Sequence, residues 1–251
     1  MNKLIALSFS LIVLAGCGTP SQQAAQPGSR AHASAKLHTE LAGSYYERMQ
    51  LGIALGEIDK ALQADRSYAP AYNMRGLIHM DLREYKEAED DFQQSLRLDK
   101  DDSETHNNYG WFLCQRGREK ESIPQFMAAL KNPLYRTPGL AYLNAGLCSR
   151  KAGNNKDAEE FLLNALRMQP GMPQALLGMA ELSFANSDYA AARQYFARFS
   201  ERNDNLTPEQ LWLGVRIQRI VGDRNSEASY GMQLRKRFPA AKETKMLMGG
   251  E

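Results

Sequence analysis

The chain has 251 residues, with 31 Lys and Arg against 29 Asp and Glu, a net charge of +2 at pH 7, and three cysteines. A balance this close to neutral, without a basic stripe interleaved with aromatics, argues against a nucleic-acid partner. The short basic run Arg235-Lys236-Arg237 reads as a solvated cluster at a helix end.

The first element is an export signal. Lys3 supplies one positive charge, and residues 4–14 are apolar apart from Ser8 and Ser10. That stretch is too short to span a bilayer as a mature helix and suits the hydrophobic region of a secretory signal. It closes in Leu14-Ala15-Gly16-Cys17, which resembles the lipobox of bacterial lipoproteins. The resemblance implies that 1–16 is removed and that Cys17 is acylated; an ordinary signal with an incidental Cys17 is the alternative. Gly18 stands where an aspartate would favour inner-membrane retention, which implies a lipid anchor in the outer membrane, on its periplasmic face. More than one acyl chain, at about 0.8 kcal/mol per buried methylene, makes such an anchor stable. Residues 17–34 then read as the lipidated cysteine and a flexible tether rich in Ser, Gln, Ala and Gly, with a reach of roughly 25 Å.

From residue 35 to 245 the chain repeats. Ala42, Gly76 and Gly110 occupy one small-residue slot at steps of thirty-four; the slot then falls at Gly146, displaced by two, and the step of thirty-four resumes through Ala180 to Gly214. Twelve, sixteen and nineteen residues after Gly76 stand Ala88, Phe92 and Ser95; Gly110 is followed likewise by Ser122, Phe126 and Ala129. Small residues let two helices approach, and a large side chain fills the remaining gap. The pattern resembles a tetratricopeptide array and implies an all-α, right-handed superhelix of about six helical hairpins. The units fall near 35–68, 69–102, 103–136, 139–172, 173–206 and 207–241. Gly117, Gly153, Pro170, Pro208, Gly222 and Pro239 punctuate them, and two extra residues fall in the Pro133–Pro138 stretch.

In such arrays the first helix of each hairpin lines a concave face, with the second, fifth, ninth and twelfth residues of the unit pointing inward. Those slots give Tyr46, Asn73, Leu77, Met80, Asn107, Trp111, Leu143, Leu147, Leu177 and Phe184, together with Cys114. An apolar strip edged by amides suits an amphipathic helix or hydrophobic peptide, with Asn73 and Asn107 available to its backbone. Packing between neighbouring first helices is the competing reading, above all for Leu143 and Leu147. Cys114 and Cys148 fall on first helices of adjacent hairpins; in an oxidising compartment they form a disulfide or remain two buried thiols.

Catalysis has little support. His79 and His106 take packing slots, Asp90-Asp91 reads as an exposed pair, and Asp99 to Asp102 as a turn. No phosphate loop, nucleophile elbow or zinc-protease motif is present, and no metal, cofactor or small-molecule substrate is expected.

The signal, the lipobox, the polar tether and six repeats together are similar to the type IV pilus biogenesis and stability lipoproteins, the PilF/PilW pilotins. Tyr72-Asn73-Met74-Arg75-Gly76 and the segment from His106 to Cys114 carry the likeness. The resemblance implies a non-enzymatic protein that binds the pilus secretin subunit and promotes its localisation and multimerisation in the outer membrane, for pilus assembly and twitching motility. A repeat scaffold serving another envelope assembly machine is the alternative.

Overall fold

The computed structural model describes residues 27–250, and among them every regular element is a helix. The signal segment, Cys17 and residues up to 26 lie outside that range. α1 (Pro27–Glu47) and α2 (Leu51–Ala64) form the first hairpin, α3 (Ala69–Asp81) and α4 (Tyr85–Leu98) the second, α5 (Ser103–Gln115) and α6 (Glu119–Ala129) the third. α7 (Pro138–Lys151) with α8 (Asn155–Met168), α9 (Pro173–Ala185) with α10 (Tyr189–Ser200), and α11 (Pro208–Val221) with α12 (Arg224–Arg237) complete six. A short helix, α13 (Lys242–Gly249), packs over α11 and α12.

The recurring slot has a steric cause. A Cβ placed on Gly76 would lie 2.8 Å from the Phe92 ring, and one on Gly110 would lie 2.8 Å from the Phe126 ring. Each ring, fully buried, fills a notch in the facing helix of its own hairpin. Leu162 fills the same notch against Gly146. In the fifth hairpin the slot is Ala180, and the Phe196 ring presses instead on Gly214 of the next unit. The hairpins therefore interlock by shape, and a side chain in the notch would force the helices apart.

Each hairpin turns through one left-handed residue: Met49, Arg83, Gly117, Gly153, Ser187 and Gly222 in succession. The next N–H then donates to a carbonyl five residues back, as Glu84 does to His79 at 2.9 Å and Arg118 to Leu113 at 2.9 Å. This closure satisfies a carbonyl orphaned at the helix end. A lone left-handed residue costs about 1–2 kcal/mol outside glycine, so three units carry the turn without the glycine that marks it in sequence. At the opposite ends, Asp102, Asn154, Asp188, Thr207 and Asp223 cap the helices that follow.

Two boundaries differ from the sequence reading. Residues 27–34, assigned to the tether, are the opening turns of α1. Pro27 starts the helix, alanines continue it, and His32 meets Asp65 at 3.2 Å and the Tyr68 ring edge-on at 5.0 Å. At the other end, α13 is an additional helix after the sixth hairpin. Thr244 Oγ1 donates to the Phe238 carbonyl at 2.6 Å, and Leu247 lies over Gly231, so that α13 covers part of the sixth hairpin.

Candidate protein-binding groove

First helices of successive hairpins pack on one another, α1 on α3, α3 on α5, α5 on α7 and α7 on α9, while second helices pack chiefly on flanking first helices. The first helices therefore form the inner wall of the curve. Of the side chains placed there by the repeat slots, Tyr46, Leu77, Met80, Trp111, Leu147, Leu177 and Phe184 keep part of their surface exposed. Leu77 and Met80 rest on the cluster around Phe92 and Phe112. Trp111 rests on the cluster holding Cys114, Phe126 and Cys148. Tyr46 lies deep enough that burial, and then the neighbouring Asp81 carboxylate, push its hydroxyl above the ordinary tyrosine range. It stays a neutral phenol.

Three expected groove residues face elsewhere. Leu143 is 5% exposed and belongs to the core of the C-terminal hairpins. Asn73 and Asn107 are 7% and 1% exposed, and their amides are engaged within the wall. Asn144 Nδ2 donates to Asn107 Oδ1 at 3.0 Å, Asn107 Nδ2 to Asn108 Oδ1 at 3.3 Å, and Asn108 Nδ2 to Asn73 Oδ1 at 3.1 Å. The relay runs through α7, α5 and α3, binding the three helices in register. A short amide beside a neighbouring helix is satisfied there rather than by a ligand. Asn108 and Asn144 were not singled out from sequence. The signal available was asparagine at adjacent slots of three consecutive units.

Cys114 on α5 and Cys148 on α7 are joined by a disulfide, with Cα atoms 5.9 Å apart and both side chains buried. Beyond it the character of the inner wall changes. Arg150 pairs with Glu181 across α7 and α9, and the Arg216 guanidinium lies 4.3 Å from the centre of the Phe184 ring. Leu147 and Leu177 are thus bordered by charge, whereas Leu77, Met80 and Trp111 form the open apolar part.

The Asp90-Asp91 pair also departs from expectation. Asp91 is buried rather than exposed. Arg75 grips it at 2.6 and 2.9 Å, and His79 Nδ1 lies 2.9 Å away. The contact joins α3 to α4, so both sides of a buried charge are satisfied. His106 bridges α5 to α6 through Gln125 at 2.7 Å. Both histidines are structural links between helices. Among the described residues no group of three His, Cys, Asp or Glu could hold a metal ion, and no helix is long and apolar enough to cross a membrane.

Comparison with known proteins fits this geometry. Tetratricopeptide repeat models match residues 69–102 and 149–212. The chain is 30% identical to the type IV pilus assembly protein PilF of Pseudomonas aeruginosa, over 97% of both proteins. The crystal structure of PilW, a type IV pilus biogenesis factor, superposes with a TM-score of 0.78 at 33% identity, covering 85% of this chain and 98% of that one. The Pseudomonas aeruginosa PilF structure gives a TM-score of 0.84 at 27% identity, covering 88% of this chain and all of the other.

Proposed function

The chain belongs to the PilF family of tetratricopeptide proteins of type IV pilus biogenesis, and from that premise we propose that it is an outer-membrane lipoprotein whose inner wall captures the pilus secretin subunit. The observation that carries the reading is the partly exposed strip of Leu77, Met80 and Trp111 on α3 and α5. Large apolar side chains left accessible on a concave face mark an interaction site. Acylation of Cys17 then confines captured subunits to a surface, raises their effective concentration and favours their multimerisation. The role is non-enzymatic, and pilus assembly and twitching motility depend on it.

Capture from detergent-solubilised membranes of the source bacterium tests this. The secretin is expected among the retained proteins. The double substitution Met80→Gln, Trp111→Gln should remove it while leaving the helical circular-dichroism signal intact. Retention of a different envelope complex without the secretin would refute the secretin reading. Replacing Cys17 by serine should release the protein from the membrane; continued retention would refute the anchor.

A further inference from the structure

The first hairpin presents an apolar face where later hairpins meet a neighbour. In the second to fifth units the third residue is small or short: Ala71, Thr105, Ala141 and Ala175, each fully buried. Ala71 belongs to the apolar cluster of α1 and α2, and Thr105 Oγ1 lies 2.9 Å from Ser95 Oγ of α4. The slot thus lies against the preceding hairpin. In the first unit it holds Leu37, which is 55% exposed. One turn on, Leu41 is exposed too, as are Met49 in the turn after α1 and Ile53 at the start of α2.

The choice of leucine decides between occupants. Small side chains let helices of adjacent hairpins approach, and a leucine in that slot holds a stacked hairpin away. The face is therefore poorly shaped for a second copy continuing the array. Four large apolar side chains in one hairpin are equally ill suited to water.

We propose that this face rests on the lipid bilayer, with α1 lying along the surface and Leu37, Leu41, Met49 and Ile53 in the interfacial layer. This docking rests on the acylation of Cys17 proposed above. Ten residues lead from Cys17 to the start of α1 at Pro27, and they span at most about 35 Å. The acyl chains keep the first hairpin within that distance of the surface, where a weak apolar contact becomes an intramolecular one. A helix with one apolar face lies in the plane of the interface with that face among the acyl chains. The exposed arginine and lysine of α1, Arg30 and Lys36, balance its exposed Glu40 and Glu47, which fits zwitterionic headgroups. Helices pack about 8–10 Å apart, so the docked array stands on its first hairpin. Leu77 and Trp111, one and two hairpins on, are then held about 10–20 Å above the membrane, with the inner wall open to the periplasm.

The test places a nitrobenzoxadiazole label on single introduced thiols of the full-length acylated chain in vesicles of phosphatidylethanolamine and phosphatidylcholine. Leu37→Cys and Ile53→Cys report on the face, and Met248→Cys, 68% exposed on α13, on the far end. Acylation blocks Cys17 and the disulfide blocks Cys114 and Cys148, so each chain takes one label. Emission at positions 37 and 53 should shift to the blue and be quenched by nitroxide-labelled phosphatidylcholine, and emission at 248 should do neither. Adding Leu41→Ser and Met49→Ser, both at exposed positions, should restore most of the emission lost at 53. Labels at 37 and 53 that nitroxide lipid leaves unquenched, on chains that float with the vesicles, would overturn the docking alone. A blue shift that nitroxide lipid does not quench, and that fades as the chain is diluted in lipid, would give the face to a second copy and overturn it equally. A second label at Cys17, on chains that stay in solution, would refute the anchor and the docking with it.

Discussion

From α7 to α13 the core is continuous: Leu162, Leu176, Phe196, Leu211, Ile217 and Leu234 belong to one buried apolar cluster. From α1 to α6 it is broken into separate clusters, around Ile58 and Ile78, around Phe92 and Phe112, and around Phe126 with the disulfide. Directional contacts tie the N-terminal clusters together. Arg75 and His79 hold Asp91; Arg118 grips Glu89 at 2.8 and 2.9 Å, and Tyr109 donates to the same carboxylate at 2.8 Å. The asparagine relay links α3, α5 and α7. Such contacts fix register without using apolar surface, and Leu77, Met80 and Trp111 stay partly exposed. The C-terminal hairpins share one apolar core, and their inner wall carries the Arg150–Glu181 ion pair and the Arg216–Phe184 contact beside the partly exposed Leu147 and Leu177.

The contrast can be broken most severely at the rings. Phe196→Ala should cost about 3–5 kcal/mol, read by urea denaturation, and should raise amide exchange throughout α9 to α12. Phe92→Ala should cost a similar amount but loosen only α3 to α6. If both spread over the whole chain, the cores are not separate. Next comes the disulfide, which closes a loop of 34 residues. In the chain-entropy description that is worth about 4 kcal/mol, so reduction should lower the urea midpoint, and an unchanged midpoint would mean that the bridge does not form in solution. Asp91→Ala should cost about 3 kcal/mol by leaving Arg75 without its carboxylate. The C-terminal hairpins should keep their exchange protection in that variant.

The smallest effect is on pH. Lys60 and then His38 hold the Glu57 carboxyl below its ordinary range, and contacts from Ser67 do the same for Asp65. Carboxyls depressed in the folded state stabilise it above the ordinary carboxylate pKa of about 4, and that contribution is lost as pH falls through the depressed values. Pepsin at pH 3 should therefore cut within α1–α2 before α9–α10, and the reverse order would contradict the assignment.

What was legible in the sequence was steric. A glycine facing a ring is a local requirement repeated in each hairpin, so Gly76 with Phe92 and Gly110 with Phe126 announced the fold and its register. The displaced Gly146 likewise marked the long connection at 130–137. Pairings between hairpins were not legible. Asn107 reads as a groove amide until Asn144 and Asn108 of the wall are known to meet it. Asp91 reads as solvated until Arg75 and His79, sixteen and twelve residues away, turn out to face it. The start of α1 was hidden because alanines, serines and histidines suit a tether as well as a helix until Asp65 and Tyr68 lie against them. α13 was hidden because nothing in its short sequence repeats the unit.

The most direct test of a partner site on the N-terminal half is hydrogen exchange on the full-length chain with and without saturating secretin subunit. Added protection concentrated in α3 and α5, around Leu77, Met80 and Trp111, with α11 to α13 unchanged, is the expected result. Protection confined to α9 through α13, with α3 and α5 exchanging as in the free protein, would contradict it.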